Sequence, residues 1–149
     1  MPGTDPFETL QSLAKRRTDG ALAELGDALR ASRHSADQLK VLEQYRTEYS
    51  NRFATAARLG LPATVLANYR SFLEKLDGVI AQAQRDTAMR AVVVEAGQAR
   101  WRDARREQQS YEVIAERRAA GAEQKEARRA QKQADEIAAR LATARLQGA

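Results

Sequence analysis

The sequence predicts an all-α protein, an antiparallel two-stranded α-helical coiled coil whose second helix is longer than the first. The 149 residues include 30 Ala, 20 Arg and 14 Leu, a composition typical of long helices. Aromatic residues make up only 5% of the chain, too few to fill a globular core. Proline occurs only at positions 2, 6 and 62, so two long segments lack the residue that most disrupts a helix.

Local signals predict where the two helices begin and end. Asp5 and Pro6 suit the cap and the first position of a helix, and Glu8 stands three residues after the cap. Gly60 and Pro62 are typical of a helix end. We expect one coiled-coil domain over 1–149, with helix one over about 5–59, a turn at 60–63 and helix two over about 64–146.

A seven-residue repeat predicts how the helices pair. Steps of three and four residues along helix two give one mainly apolar series: Leu66, Tyr69, Leu73, Leu76, Ile80, Ala83, Thr87, Arg90, Val94, Gly97, Trp101, Ala104, Gln108, Tyr111 and Ala115. The same steps along helix one give a shorter series: Leu22, Leu25, Leu29, Ser32, Ala36 and Leu39. Such repeats form the seam of a left-handed coiled coil, and a short turn makes the helices antiparallel.

The turn also predicts the register and an unpaired overhang. With its centre near Gly60, two residues that lie level have numbers adding up to about 121. Asp5 should then lie near Glu116 or Arg117, and helix two should continue alone from about 118. This overhang carries a weak apolar stripe: Ala130, Ala134, Ile137, Leu141 and Ala144. A lone amphipathic helix needs a partner to be stable, so the overhang is either a binding element or a frayed tail.

One stripe of apolar and aromatic side chains occurs in addition to the residues that the seam requires. Helix one carries Gln38, Leu42, Tyr45 and Tyr49 at helical spacing, and helix two repeats that spacing with Phe72, Leu76, Val79 and Ala83. The register rule makes the two sets level neighbours. Exposed aromatic side chains are favoured at protein interfaces, so the stripe is either a partner surface or a widening of the seam.

Composition argues against enzymatic chemistry. The absence of Cys excludes disulfides and thiol nucleophiles, and the single His34 excludes histidine metal clusters and Ser-His-Asp triads. We read His34 as a solvated surface residue. The chain is therefore expected to be a non-enzyme that needs no cofactor or metal.

Charge and targeting signals bear on nucleic acid binding and on the location of the protein. The net charge of +5 is spread along both helices among acidic residues, so we expect no nucleic acid binding. Trp101 fits the seam better than a base-stacking platform. No secretory signal or membrane-spanning run is present, so a cytoplasmic location is expected.

Five stretches that together cover nearly the whole length share one resemblance: ETLQSLA, ADQLKVLEQYRTEYSNRF (Ala36 to Phe53), NYRSFLEKLDGVIAQ (Asn68 to Gln82), WRDARREQQSYEVIAER and EQKEARRAQKQADEIAAR. In order, spacing and length they resemble the FliJ family, a component of the flagellar type III protein export apparatus. It implies a coiled coil similar to the central stalk of rotary ATPases. Such a stalk enters the ring of the hexameric export ATPase, promotes its activity and contacts the transmembrane export gate, and it is linked to escorting export chaperones.

The resemblance also suggests binding residues and a location. The family's gate-binding positions match Gln38, Leu42, Tyr45, Tyr49, Phe72 and Leu76, whereas Val79 and Ala83 depart from the family pattern. Because the overhang lacks an intramolecular partner, the end with both termini is expected to enter the ring. The basic residues expected there are Lys15, Arg16, Arg17, Arg118, Arg128 and Arg129. The protein would then lie at the cytoplasmic face of the inner membrane, peripheral to it through the gate complex.

Three other functions stay open from sequence alone. The stalk of a virulence type III secretion system shares the predicted architecture. A structural coiled-coil adaptor would explain the repeat without any ATPase. A basic nucleic-acid-binding protein would explain the positive charge, and it would bind DNA with a steep salt dependence.

Overall fold

The computed structural model describes residues 5–148 and consists of two long helices. Helix α1 is Pro6–Arg58, with 53 residues, and helix α2 is Ala63–Gln147, with 85 residues. The described residues contain no strand. The predicted all-α fold, with two helices packed against each other, is confirmed. Positions 1–4 and 149 of the predicted domain lie outside the described residues, and the single-domain assignment stays a prediction.

The start of α1 has the predicted cap. The backbone N–H of Phe7 donates a hydrogen bond to Oδ1 of Asp5 over 3.0 Å, which satisfies one of the amides that an α-helix leaves free at its start. Glu8 adds a negative charge in the first turn, where the helix dipole favours it.

The turn depends on a left-handed glycine. Gly60 has a φ of 75°, and the N–H of Leu61 donates to the carbonyl of Ala56 over 3.3 Å. This hydrogen bond closes the end of α1 in the way that left-handed caps commonly do. The carbonyl of Pro62 accepts hydrogen bonds from the backbone N–H groups of Val65 and Leu66 in the first turn of α2.

Two glycine substitutions should change stability in opposite directions. Gly60→Ala should destabilise the fold by about 1 kcal/mol, because a left-handed backbone strains any residue with a Cβ. Gly78→Ala lies inside α2 with open space around the added methyl, so it should stabilise by about 0.5–1 kcal/mol. Thermal melting of both variants checks this pair, and a loss of stability at position 78 would contradict it.

Contacts divide the described chain into two compact units. One unit combines Met1–Ala14 with Arg106–Ala149, and the other is Lys15–Arg105. Each unit contains parts of both helices, so each contains its own stretch of paired helix.

The seam of α2 follows the predicted series in both units. In Lys15–Arg105, Leu76 and Ile80 are each 8% exposed, and Gly97 is also buried. All other members of the series are half-buried except Arg90, which is exposed. The predicted packing face of α2 is therefore confirmed.

The seam of α1 differs from the prediction at every second position. Leu25, Ser32 and Leu39 face α2 as expected, but Leu22 and Leu29 are 51% and 45% exposed, and Ala36 is also exposed. Their places are taken by the residues one position earlier: Ala21, Ala28 and Ser35. The prediction that Leu22, Leu29 and Ala36 lie in the seam is wrong.

The physical reason lies nearer the turn. The observed phase brings Leu42 and Tyr49 to the seam, whereas the predicted phase would bring Glu43 there instead. A continuous seven-residue repeat keeps one phase, so the gain from burying Leu42 and Tyr49 decides the phase for the earlier turns as well.

Contacts within each unit confirm the antiparallel register. In Lys15–Arg105, the buried hydroxyl of Ser35 donates to Oδ2 of Asp86 over 2.7 Å, and the rings of Tyr49 and Phe72 lie 4.4 Å apart. In both pairs the two residue numbers add up to 121, as the predicted register requires. A buried polar contact such as that of Ser35 resists slippage, because any other register leaves the hydroxyl without its partner.

The other unit ends its helix pairing around Phe7. The ring of Phe7 lies 6.0 Å from that of Tyr111, and the guanidinium of Arg118 stacks over it at 4.2 Å. Arg118 also approaches Oδ2 of Asp5 at 3.7 Å. The predicted neighbourhood of Asp5 is thus correct to within one or two residues.

Beyond Gly121, α2 changes character. Every residue over 122–148 is exposed. Continued beyond Gly121, the seam repeat falls on Ala122 and then on three basic residues, Lys125, Arg129 and Lys132. The apolar repeat of α2 therefore ends where α1 no longer provides residues to pack against it.

Candidate protein-binding surfaces

Three aromatic rings form a cluster across the two helices of Lys15–Arg105. Tyr45 and Tyr49, one turn apart on α1, stack with their ring centroids 5.7 Å apart. Tyr49 in turn contacts Phe72 of α2 at 4.4 Å, and the guanidinium of Arg52 lies 5.2 Å from the Tyr49 ring. The sequence predicted that these residues are neighbours, and this placement is observed.

Exposure divides the predicted stripe into two groups. Tyr45, Phe72 and Val79 are 50%, 39% and 51% exposed, and Gln38 is exposed as well. We call these four residues the aromatic flank. Leu42 and Tyr49 are half-buried in the seam, and Leu76 is buried in it. The stripe is therefore both a surface and a widening of the seam, with different residues in each part.

A groove extends the aromatic flank along the helix pair. It has a volume of about 470 Å³ and is lined by His34, Asp37, Gln38, Val41, Leu42 and Ala83. Val41 is 55% exposed and was not among the residues chosen from sequence. Its position four residues before Tyr45 would have revealed it, because such residues share a helix face.

One ion pair joins the helices on the other side of the seam. Nε of Arg46 donates to Oδ1 of Asp77 over 2.5 Å. This hydrogen bond lowers the pKa of the Asp77 carboxyl below its ordinary value, and the positive charge of Arg46 adds to the effect. It also raises the pKa of the Arg46 guanidinium.

The ion pair predicts a weak pH dependence of stability. A carboxyl whose pKa is lowered by folding stabilises the fold above its unfolded pKa, and the contribution is lost as the pH falls below about 4. Asp77→Asn should therefore melt slightly below the parent protein at pH 7, and the difference should shrink toward pH 3. Asp27→Asn, which removes an ion pair within α1 alone, is the matched control. A difference between parent and Asp77→Asn that grows toward acid would contradict this assignment.

The basic residues chosen from sequence fall into both units. Lys15, Arg16 and Arg17 are exposed in Lys15–Arg105, and Arg128 and Arg129 are exposed in the other unit. The guanidinium of Arg118 contacts Asp5 and Phe7 at the start of α1. This contact could not be read from the sequence, because it depends on Oδ2 of Asp5 facing Arg118 while Oδ1 caps the helix.

Residues 5–148 show neither a metal centre nor a membrane span. No group of three or more His, Asp or Glu side chains within that range could hold a metal ion. Neither helix contains a stretch apolar enough to cross a bilayer. The described features define a class of protein: an all-α coiled coil with exposed apolar and basic surfaces.

Comparison with known proteins gives the family. The family model described as "Flagellar FliJ protein" matches residues 4–147. The chain is 30% identical to the flagellar FliJ protein of Salmonella typhi over 136 residues, which cover 91% of this chain and 92% of that protein. It is 29% identical to the flagellar FliJ protein of Escherichia coli K12 over 134 residues, covering 90% and 91%. The chain belongs to the FliJ family and is a component of the flagellar export apparatus.

Proposed function

We propose that the chain is a non-enzymatic central stalk of the flagellar type III export apparatus. It binds the hexameric export ATPase and the transmembrane export gate, promotes protein export, and takes part in escorting export chaperones. It works at the cytoplasmic face of the inner membrane, peripheral to it through the gate complex. The observation that carries this proposal is the family match over residues 4–147.

The aromatic flank is the proposed contact with the gate. Tyr45 and Phe72 expose half and more than a third of their surfaces, which is costly in water and is relieved by a partner. Both rings are held in place by Tyr49, so little side-chain freedom is lost on binding. Gln38 adds a hydrogen-bonding group, whereas Leu42, Tyr49 and Leu76 act from the seam by positioning the exposed rings.

The segment 122–148 is the proposed main contact with the ATPase ring. Its side chains are all exposed, and Ile137 and Leu141 are 58% and 61% exposed on one apolar stripe. Arg128 and Arg129 bring positive charge to the same segment. We extend the ring contact to Lys15, Arg16 and Arg17, as the resemblance to a rotary stalk implies, and we assign Arg118 mainly to holding the start of α1.

The rate of ATP hydrolysis tests the proposal directly. Purified flagellar export ATPase should hydrolyse ATP faster when the purified chain is added, and the chain alone should hydrolyse none. A structural adaptor predicts an unchanged rate, and that result would contradict the stalk. Tight, salt-sensitive binding to DNA in place of stimulation would favour the nucleic-acid-binding alternative.

A further inference from the structure

The leucines excluded from the seam form a second apolar surface. Leu22 and Leu29 are 51% and 45% exposed, and each follows a seam residue of α1 by one position. On α2, one residue per heptad follows a seam position on the same side, and at this level these residues are the uncharged Gln84, Ala91 and Gln98. We call the six exposed residues the leucine flank: Leu22, Leu29, Ala36, Gln84, Ala91 and Gln98.

Contacts across the seam show that these six residues share one side of the helix pair. Residues one position before the seam lie on the opposite side, where Arg100 approaches Glu24 at 3.8 Å. The leucine flank and the aromatic flank therefore lie on opposite sides of the same seam.

Charges bound the leucine flank at both ends. The same heptad positions are occupied by exposed Lys15 and Arg105 beyond Leu22, and by exposed Glu43 and Asp77 beyond Ala36. Asp77 is already paired with Arg46, so Glu43 supplies the acidic charge at that end. The uncharged surface between the basic end and the acidic end extends over about 20 Å, the rise of four helical turns. Along both helices, the exposed residues beside the leucine flank include charges of both signs: Asp19, Arg33, Lys40 and Glu95.

We propose that the leucine flank is a docking site for one amphipathic helix of a partner protein, with acidic side chains at one end and basic side chains at the other. The leucines of α1 supply the apolar contact, and the uncharged side chains of α2 beside them leave a strip wide enough for a single apolar helix face. The acidic end of the partner helix lies beside Lys15 and Arg105, and its basic end lies beside Glu43. This site goes beyond the gate and ring contacts and does not depend on either.

A designed helical peptide tests the site. The probe has 18 residues, a leucine stripe, Glu in its first turn and Lys in its last turn, with a spin label at the Glu end. In methyl NMR spectra of the full chain, saturable binding should shift the signals of Leu22 and Leu29. The label should broaden Leu22 more than Leu29. Equal broadening of both leucines, or stronger broadening of Leu29, would overturn the proposed polarity.

Substitutions separate the site from general stickiness. Leu22→Gln with Leu29→Gln should weaken peptide binding at least about tenfold while leaving melting near normal, because both side chains are exposed. Met89→Gln, which removes a side chain that is 56% exposed elsewhere on α2, should leave binding unchanged. Binding that survives the double leucine variant would overturn the site.

Two further outcomes would assign the leucines to another occupant. Association of the chain with itself, lost in the double leucine variant, would make a second copy the occupant and overturn the proposal. Loss of ATPase stimulation or gate binding in that variant would place the flank in those contacts instead. We expect the variant to remain normal in both.

Discussion

Deletion of residues 125–149 should remove most of the stimulation of the export ATPase, while the rest of the chain melts almost as before. Residues 122–148 are exposed throughout, so removing them takes away little of the packing that stabilises the fold. The same residues contain Ile137, Leu141 and the paired arginines at 128 and 129, which are the groups proposed to contact the ring. ATP hydrolysis and circular dichroism on the same samples measure both quantities.

A full-length variant controls for loss of chain length. Ile137→Gln with Leu141→Gln keeps all 149 residues and replaces two exposed apolar side chains, so it should lose much of the stimulation without changing melting. Val113→Gln, at a site 45% exposed on the same helix, should keep full stimulation. Normal stimulation by the truncated chain would show that the ring contact lies elsewhere.

Tyr45→Ala and Phe72→Ala should each weaken binding to the soluble domain of the export gate by about 2 kcal/mol, roughly thirtyfold, with nearly normal melting. Both rings are substantially exposed in the free chain, so their removal costs the fold little. Each ring becomes buried only when a partner covers it. Affinity for the gate domain and the melting temperature, measured on the same variant, separate these two roles.

Two seam residues provide the matched contrast. Leu76 is 8% exposed, so Leu76→Ala should destabilise the fold by about 2–5 kcal/mol through the cavity it leaves. Tyr49→Ala should lower both the affinity for the gate domain and the melting temperature, because its ring packs in the seam and supports Tyr45 and Phe72. Gate binding that is unchanged in both Tyr45→Ala and Phe72→Ala would show that the aromatic flank is not the gate contact.

The seam of α2 could be predicted from sequence because Leu73 and Leu76 are each followed by an acidic residue, Glu74 and Asp77. No apolar side chain competes with these leucines at the next position, and both pack in the seam. In α1, Leu22 and Leu29 stand directly after Ala21 and Ala28, the residues that lie in the seam. The larger leucine side chains led the sequence-based prediction to place Leu22 and Leu29 there instead. The phase there is set by Leu42 and Tyr49, several turns away, which a local repeat does not reveal.

The sequence predicted which residues of the candidate surface are neighbours, but it did not predict which of them are exposed to solvent. Register arithmetic placed Tyr49 beside Phe72, and the rings are in contact. Whether a side chain faces the partner helix or the solvent depends on a shift of one residue, which moves it by about 100° around the helix. That shift separates Tyr45, which is exposed, from Arg46, which reaches across the seam to Asp77.

We propose that one chain connects the export ATPase to the export gate through separate surfaces. This connection is tested by the amount of export ATPase retained on immobilised gate domain when the chain is added. Our account predicts retention only in the presence of the chain, with loss both for the truncation at 125 and for Tyr45→Ala with Phe72→Ala. Equal retention without the chain, or competition between ATPase and gate for the chain, would contradict it.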